Sequence, residues 1–94
     1  MSGPLKGMLM IVSGVVQGVG FRWYVRQVAG RYGVKGYVKN LFDGSVEILA
    51  EGDETDLKAF YEEVRIGPRY AEITGVKVDW IDYRGKFNEF RIVP

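Results

Sequence analysis

The spacing of hydrophobic and polar positions changes several times along the 94-residue chain, and each change predicts a new element. Residues 8–12 are continuously apolar, which is typical of a buried strand. From Phe21 to Tyr32 the apolar positions follow helical spacing, and Gly33 supplies a stop signal. Residues 34–40 then alternate between apolar and polar, which predicts a second strand after a helical connection.

The second half of the chain continues with strands around one more helix. The strand signals are alternating or apolar runs at residues 45–50, 76–80 and 90–93. Asp53 is a suitable N-cap for the helix, whose apolar stripe reaches Val64, and Gly67 with Pro68 predicts its end. The order is therefore β-α-β-β-α-β with a short C-terminal strand.

This order predicts an α+β fold of the ferredoxin-like split β-α-β type, with two helices on one face of an antiparallel sheet. We expect one domain spanning residues 1–94, with residues 1–6 as a flexible N-terminal extension. In this plan the first two strands run in the same direction with the third strand between them. The segment after the first strand and the end of the second strand then meet at one edge, about 10 Å apart.

Composition narrows the chemistry. The chain has no cysteine and no histidine, which excludes disulfides, thiolate or histidine nucleophile systems and most zinc sites. The formal net charge of +1 gives no electrostatic case for nucleic acid or for an anionic membrane. Because the apolar run at residues 8–12 is too short for a signal peptide or a membrane span, we expect a cytoplasmic protein.

The segment after the first strand is rich in glycine, with Gly14, Gly18 and Gly20 within seven residues. Such a loop can turn several N–H groups toward an anion, although a plain turn has the same composition. Arg22 follows in the first turn of the predicted helix, where a positive charge opposes the helix dipole at a cost of about 0.3–1 kcal/mol. A bound phosphate would turn that cost into a favourable interaction, because the guanidinium can donate two hydrogen bonds to it. The alternative is that Arg22 is a solvated surface residue with no ligand.

Asn40 is the third candidate, because it ends the second strand and shares the parity of Val34 and Val38. That parity directs it toward the helix-covered side, beside the loop, where its amide can both donate to and accept from a water molecule. The alternative explanation is that asparagine is common at strand ends because its side chain hydrogen-bonds to the backbone of the following turn. The acidic residues Asp53, Glu54 and Asp56 could together form a metal site, but helix capping accounts for them better.

Two motifs carry a family resemblance. Residues 13–22, SGVVQGVGFR, and residues 36–46, GYVKNLFDGSV, resemble the two signatures of the small acylphosphatases, in order and at the family's spacing. The resemblance implies hydrolysis of acyl phosphates to a carboxylate and inorganic phosphate by a monomer that needs no metal and no cofactor. It also implies that Arg22 binds phosphate and that Asn40 orients the attacking water. The loop amides that would hold the phosphate are those of Val15, Val16, Gln17, Gly18, Val19 and Gly20.

Two alternatives remain at the level of the sequence. The same β-α-β-β-α-β plan hosts RNA-binding modules, and residues 35–37 begin like their aromatic sheet motif, but residues 38–40 do not continue it. A non-catalytic domain that binds acyl phosphates would share both the fold and the loop.

Overall fold

The computed structural model describes residues 3–94. It contains five strands and two helices, in the order β1 (Leu5–Val15), α1 (Phe21–Tyr32), β2 (Lys35–Asn40), β3 (Val46–Asp53), α2 (Glu54–Ile66), β4 (Glu72–Ile81) and β5 (Phe90–Val93). Neither helix in this part of the chain is long and apolar enough to cross a membrane.

The strands form one sheet in the order β4-β1-β3-β2-β5, which confirms the ferredoxin-like α+β fold. The pairs β1–β3, β1–β4 and β2–β3 are antiparallel, but β2 and β5 are parallel. The prediction of a wholly antiparallel sheet is therefore wrong at β5. The chain leaves β4 at one edge of the sheet and crosses to the opposite edge through residues 82–89, so that β5 starts at the same end as β2.

Strand β1 is longer than the apolar run predicted. Leu5 and Lys6 pair with Asp53 and Gly52 of β3. These two residues therefore belong to the sheet, and assigning them to a flexible extension was wrong. The sequence pattern missed them because Lys6 and Gly7 interrupt the apolar run, whereas main-chain pairing does not depend on side-chain polarity. Residues 1 and 2 of the predicted extension lie outside the described residues.

The helix ends follow the predicted signals. Helix α1 ends at Gly33, which adopts the left-handed conformation, and the N–H of Gly67 closes α2 on the carbonyl of Glu63. Asp53 caps α2, because its Oδ1 accepts hydrogen bonds from the backbone N–H groups of Thr55 (2.8 Å) and Asp56 (3.4 Å).

The core lies between the two helices and one face of the sheet. Helices α1 and α2 contact each other, and between them they contact every strand. The largest fully buried side chains come from both layers: Met8, Met10, Val12, Val16, Phe21, Val25, Val28, Val38, Val46, Ile48, Leu57 and Phe60.

The register of the sheet brings the ends of β1 and β2 together. Val46, at the start of β3, pairs with Val12 of β1 on one side and with Asn40 of β2 on the other. The segment that follows β1 and the last residue of β2 therefore lie at the same edge, two strand spacings apart. This confirms the arrangement expected from the β-α-β-β order.

Candidate active site

The approach to the glycine loop is fixed by close contact between strands. The ladder between β1 and β4 shifts register between Ser13 and Gly14, a β-bulge, and then continues to Val15, which pairs with Glu72. Gly14 has a φ of 123°, and a Cβ at this position would lie 2.0 Å from the carbonyl oxygen of Glu72. Only glycine fits there. Val15 is therefore the last residue of β1, and residues 16–20 form the loop that follows it.

The loop leads directly into the N-terminus of α1. Val16 is fully buried and anchors the loop in the core, whereas Gly18 and Gly20 are exposed and have φ values of 74° and 77°. Gly20 is the N-cap, and its carbonyl accepts the hydrogen bond from the N–H of Tyr24 at 3.0 Å. Because α1 begins at this N-cap, its first backbone N–H groups have no partner within the helix.

The N-termini of the two helices differ in a way that points to an anion. Helix α2 is capped by Asp53 and carries Glu54 and Asp56 in its first turn. Helix α1 has no acidic residue in its first turn, and no side chain among residues 3–94 caps it. Its free N–H groups and positive dipole end are available to an external anion.

Arg22 lies in that uncapped first turn and is half-buried. Its Nη1 donates to the carbonyl oxygen of Val93 at 3.5 Å, at the outer limit of a hydrogen bond. Val93 pairs with Lys39 in the β2–β5 ladder, so the guanidinium lies beside the end of β2. Among residues 3–94 it makes no ion pair, unlike Arg31, which is 2.8 Å from Glu63.

Asn40 is half-buried at the end of β2, on the same parity as the fully buried Val38. Its Oδ1 is buried and has no hydrogen-bond partner among residues 3–94. An unpaired buried acceptor of this kind costs about 1–3 kcal/mol, and such groups are rare in native proteins. This unpaired acceptor belongs to a residue at the sheet edge from which the glycine loop also leaves.

The candidate residues border two cavities that have the loop as a shared wall. A cavity of about 170 Å³ is lined by Val16, Gly18, Gly20, Phe21, Arg22, Trp23 and Ile92. A larger one of about 610 Å³ is lined by Gln17, Lys39, Asn40, Leu41, Phe42 and Pro94. The structure thus brings the loop into contact with both spaces, but Arg22 and Asn40 border different ones. Trp23 and Phe42 are largely exposed apolar walls that the sequence did not single out.

The side chain of Gln17 makes a contact that the sequence did not indicate. Its Nε2 donates to the carbonyl oxygens of Leu41 (2.7 Å) and Ser45 (2.9 Å), in the turn between β2 and β3. The same turn is held by Asp43, whose Oδ1 accepts from Ser45 Oγ (2.5 Å) and Ser45 N (2.9 Å). These two hydrogen bonds, that from the hydroxyl first, lower the pKa of the Asp43 carboxyl.

Comparison with known proteins agrees with this geometry. A family model described as acylphosphatase matches residues 8–92. An acylphosphatase from Caldanaerobacter subterraneus subsp. tengcongensis is 44% identical over 87 residues, covering 93% of this chain and 97% of that protein. One from Thermotoga petrophila is 53% identical over 75 residues, covering 80% and 83%. The crystal structure of acylphosphatase from Bacillus subtilis matches with a TM-score of 0.91 at 41% identity, covering 97% of this chain and 100% of that one. The chain therefore belongs to the acylphosphatase family, a family of hydrolases.

Proposed function

We propose that this acylphosphatase binds the phosphoryl group of its substrate with the backbone amides of residues 15–20, the N-terminus of α1 and Arg22. The start of α1 carries this assignment: the helix begins without a capping side chain or an acidic residue in its first turn, and Arg22, which lies there, makes no ion pair among residues 3–94. Without an anion, the uncapped N–H groups of α1 and the positive charge of Arg22 at the positive end of the helix dipole are both unfavourable. A phosphoryl group would accept hydrogen bonds from the amides and from the guanidinium together.

Asn40 is proposed to orient the attacking water. Its buried Oδ1 would accept one hydrogen bond from that water and so remove the cost of an unpaired acceptor. The sheet register places Asn40 at the edge where the loop begins, two strand spacings from Val12. A water held there would lie between the amide and a phosphorus atom seated in the loop.

The reaction would need little more than this positioning. Water oxygen forms a new bond to phosphorus, the bridging P–O bond breaks, and the carboxylate leaves with its electron pair. Because a carboxylate is a stable leaving group, no general acid is required, and phosphoryl transfer through a loose transition state depends mainly on position and charge. We infer that a phosphoryl oxygen accepts the proton of the water, so that the reaction requires neither a protein base nor a metal ion.

The class of substrate is tested by phosphate release from two compounds in the presence of a chelator. Acetyl phosphate is the acyl phosphate and p-nitrophenyl phosphate is the ester, whose leaving group is a phenolate. We expect rapid release from acetyl phosphate only. Release from neither compound, combined with binding of inorganic phosphate, would instead identify a non-catalytic binding domain.

The residue roles are tested by Arg22→Ala and Asn40→Ala, with Arg26→Ala as control, since Arg26 is exposed one turn further along α1. We expect Arg22→Ala to lower kcat/KM by about 10²–10³-fold and to weaken inhibition by inorganic phosphate. Asn40→Ala should lower kcat by about 10²-fold while phosphate inhibition persists. Near-normal turnover in either variant would remove that residue from the mechanism.

We also propose that the protein is cytoplasmic and monomeric and that its small-molecule partners are the acyl phosphate and inorganic phosphate, without nucleic acid or membrane. The net charge of +1 and the short apolar run at residues 8–12 support the absence of nucleic-acid and membrane partners, whereas the monomeric state is what the family resemblance implies. Light scattering should give a mass near 10.6 kDa for the monomer.

A further inference from the structure

The Gln17 side chain connects two parts of the site that the sheet does not hold together. Its single NH₂ group uses both hydrogens, one to the carbonyl of Leu41 and one to that of Ser45, 24 and 28 residues away in the chain. We call this pair of hydrogen bonds the Gln17 bridge. It joins the middle of the phosphate-binding loop to the turn that follows Asn40.

The turn does not need the bridge in order to close. Leu41 N donates to Ser45 O at 2.9 Å, and Gly44 N donates to Leu41 O at 3.2 Å. The two carbonyl groups that accept from Gln17 therefore each have a second hydrogen bond within the turn. The bridge instead fixes the turn relative to the loop.

The bridge lies beyond the last strand pairs that link these segments. The β1–β3 ladder extends to the pair Val12–Val46, and the β2–β3 ladder ends at the pair Asn40–Val46. Past those pairs, the loop and the residue after Asn40 have no shared strand. Because Leu41 is bonded directly to Asn40, a hydrogen bond from Gln17 to the Leu41 carbonyl restrains the Asn40 amide relative to the loop.

We propose that Gln17 is a positioning residue that sets the distance between the phosphoryl group in the loop and the water held by Asn40. This assignment rests on the proposed function. In-line attack requires the reacting atoms to be correctly placed, and a displacement of about 1 Å can cost about 10²-fold in rate. Because the turn engages both hydrogens of its Nε2, the Gln17 side chain would act on the water through Asn40.

The substitution Gln17→Leu removes both donors at similar volume and leaves each acceptor with its bond inside the turn. We expect kcat to fall about 10- to 100-fold, within the range that misplacement produces. The inhibition constant of inorganic phosphate should change less than about threefold, since the loop amides and Arg22 remain. A urea unfolding curve shows whether Gln17→Leu is folded. If it is not, the same measurements are made on Gln17→Met. A kcat within twofold of the wild type, or a tenfold weaker phosphate inhibition at unchanged kcat, would overturn the assignment.

A double-mutant cycle separates positioning from a general structural effect. In the Asn40→Ala background no amide holds the water, so adding Gln17→Leu should lower kcat by less than about twofold. A full additional 10-fold loss would show that Gln17 does not act through Asn40. Failure of the proposed function is distinct from this result, because it requires that the wild-type protein itself release no phosphate from acetyl phosphate.

Discussion

Replacing Asn40 by leucine should make the protein more stable while abolishing its activity. The change keeps the approximate shape of the side chain and removes the buried Oδ1, which has no hydrogen-bond partner among residues 3–94. A polar group that the folded protein leaves without a hydrogen bond lowers stability, and active sites often keep such groups because the function needs them.

The magnitude follows from the burial of that oxygen. An unpaired buried acceptor costs about 1–3 kcal/mol, and the substitution recovers this cost because leucine has no polar atom to leave unpaired. We expect Asn40→Leu to raise the free energy of unfolding by about 1–2 kcal/mol. For a domain of this size, each 1 kcal/mol corresponds to about 4–8 °C in Tm.

Urea unfolding in phosphate-free buffer, monitored by the fluorescence of Trp23 and Trp80, measures the change in the free energy of unfolding directly. The matched variant is Asn40→Asp, which keeps the shape and the low strand propensity but places a charged acceptor in the same position. It should be less stable than the wild type at pH 7. If Asn40→Leu proves less stable than the wild type, Oδ1 is satisfied in the free protein and the reasoning fails.

Two other predictions concern the face of the sheet away from the helices. Burial, together with a hydrogen bond to Glu47 (2.6 Å), raises the pKa of the Tyr37 phenol to about 12. Because the folded state holds this proton more tightly than the unfolded state, the free energy of unfolding should fall as the pH rises from about 10 to 12. In the same series of unfolding measurements, the free energy of unfolding of Tyr37→Phe should fall less steeply with pH. Glu51 is 4% exposed and accepts two backbone N–H groups of residues 82–89 at 2.8 and 3.1 Å. Glu51→Gln should therefore lower the free energy of unfolding by about 2 kcal/mol, whereas the exposed Glu62→Gln should change it by less than about 0.5 kcal/mol; equal effects would contradict the role of Glu51.

Local sequence carried enough information to locate the elements and the candidate residues. Helix ends depend on signals a few residues long, so Gly33, Asp53 and Gly67 were identified correctly. Arg22 stood out because its charge conflicts with the helix start, and Asn40 because of its parity in β2. The β-α-β-β order then predicted that the segment after β1 and the end of β2 lie at the same edge. The pairing of Val46 with both Val12 and Asn40 confirms this.

The limits of the strands and the contacts between distant segments were decided by the tertiary structure alone. β1 reaches Leu5 and Val15 because main-chain hydrogen bonds to β3 and β4 continue where the apolar pattern stops.

The parallel pairing of β5 depends on the path of residues 82–89 across the sheet, which no periodicity encodes. The Gln17 bridge spans 24 and 28 residues, and the contact between Arg22 and Val93 spans 71. Spacing along the chain therefore determined which residues are candidates for the chemistry, whereas only the folded chain determined what holds them in place. The physical reason is that secondary-structure signals are local, while these contacts require the chain to close on itself.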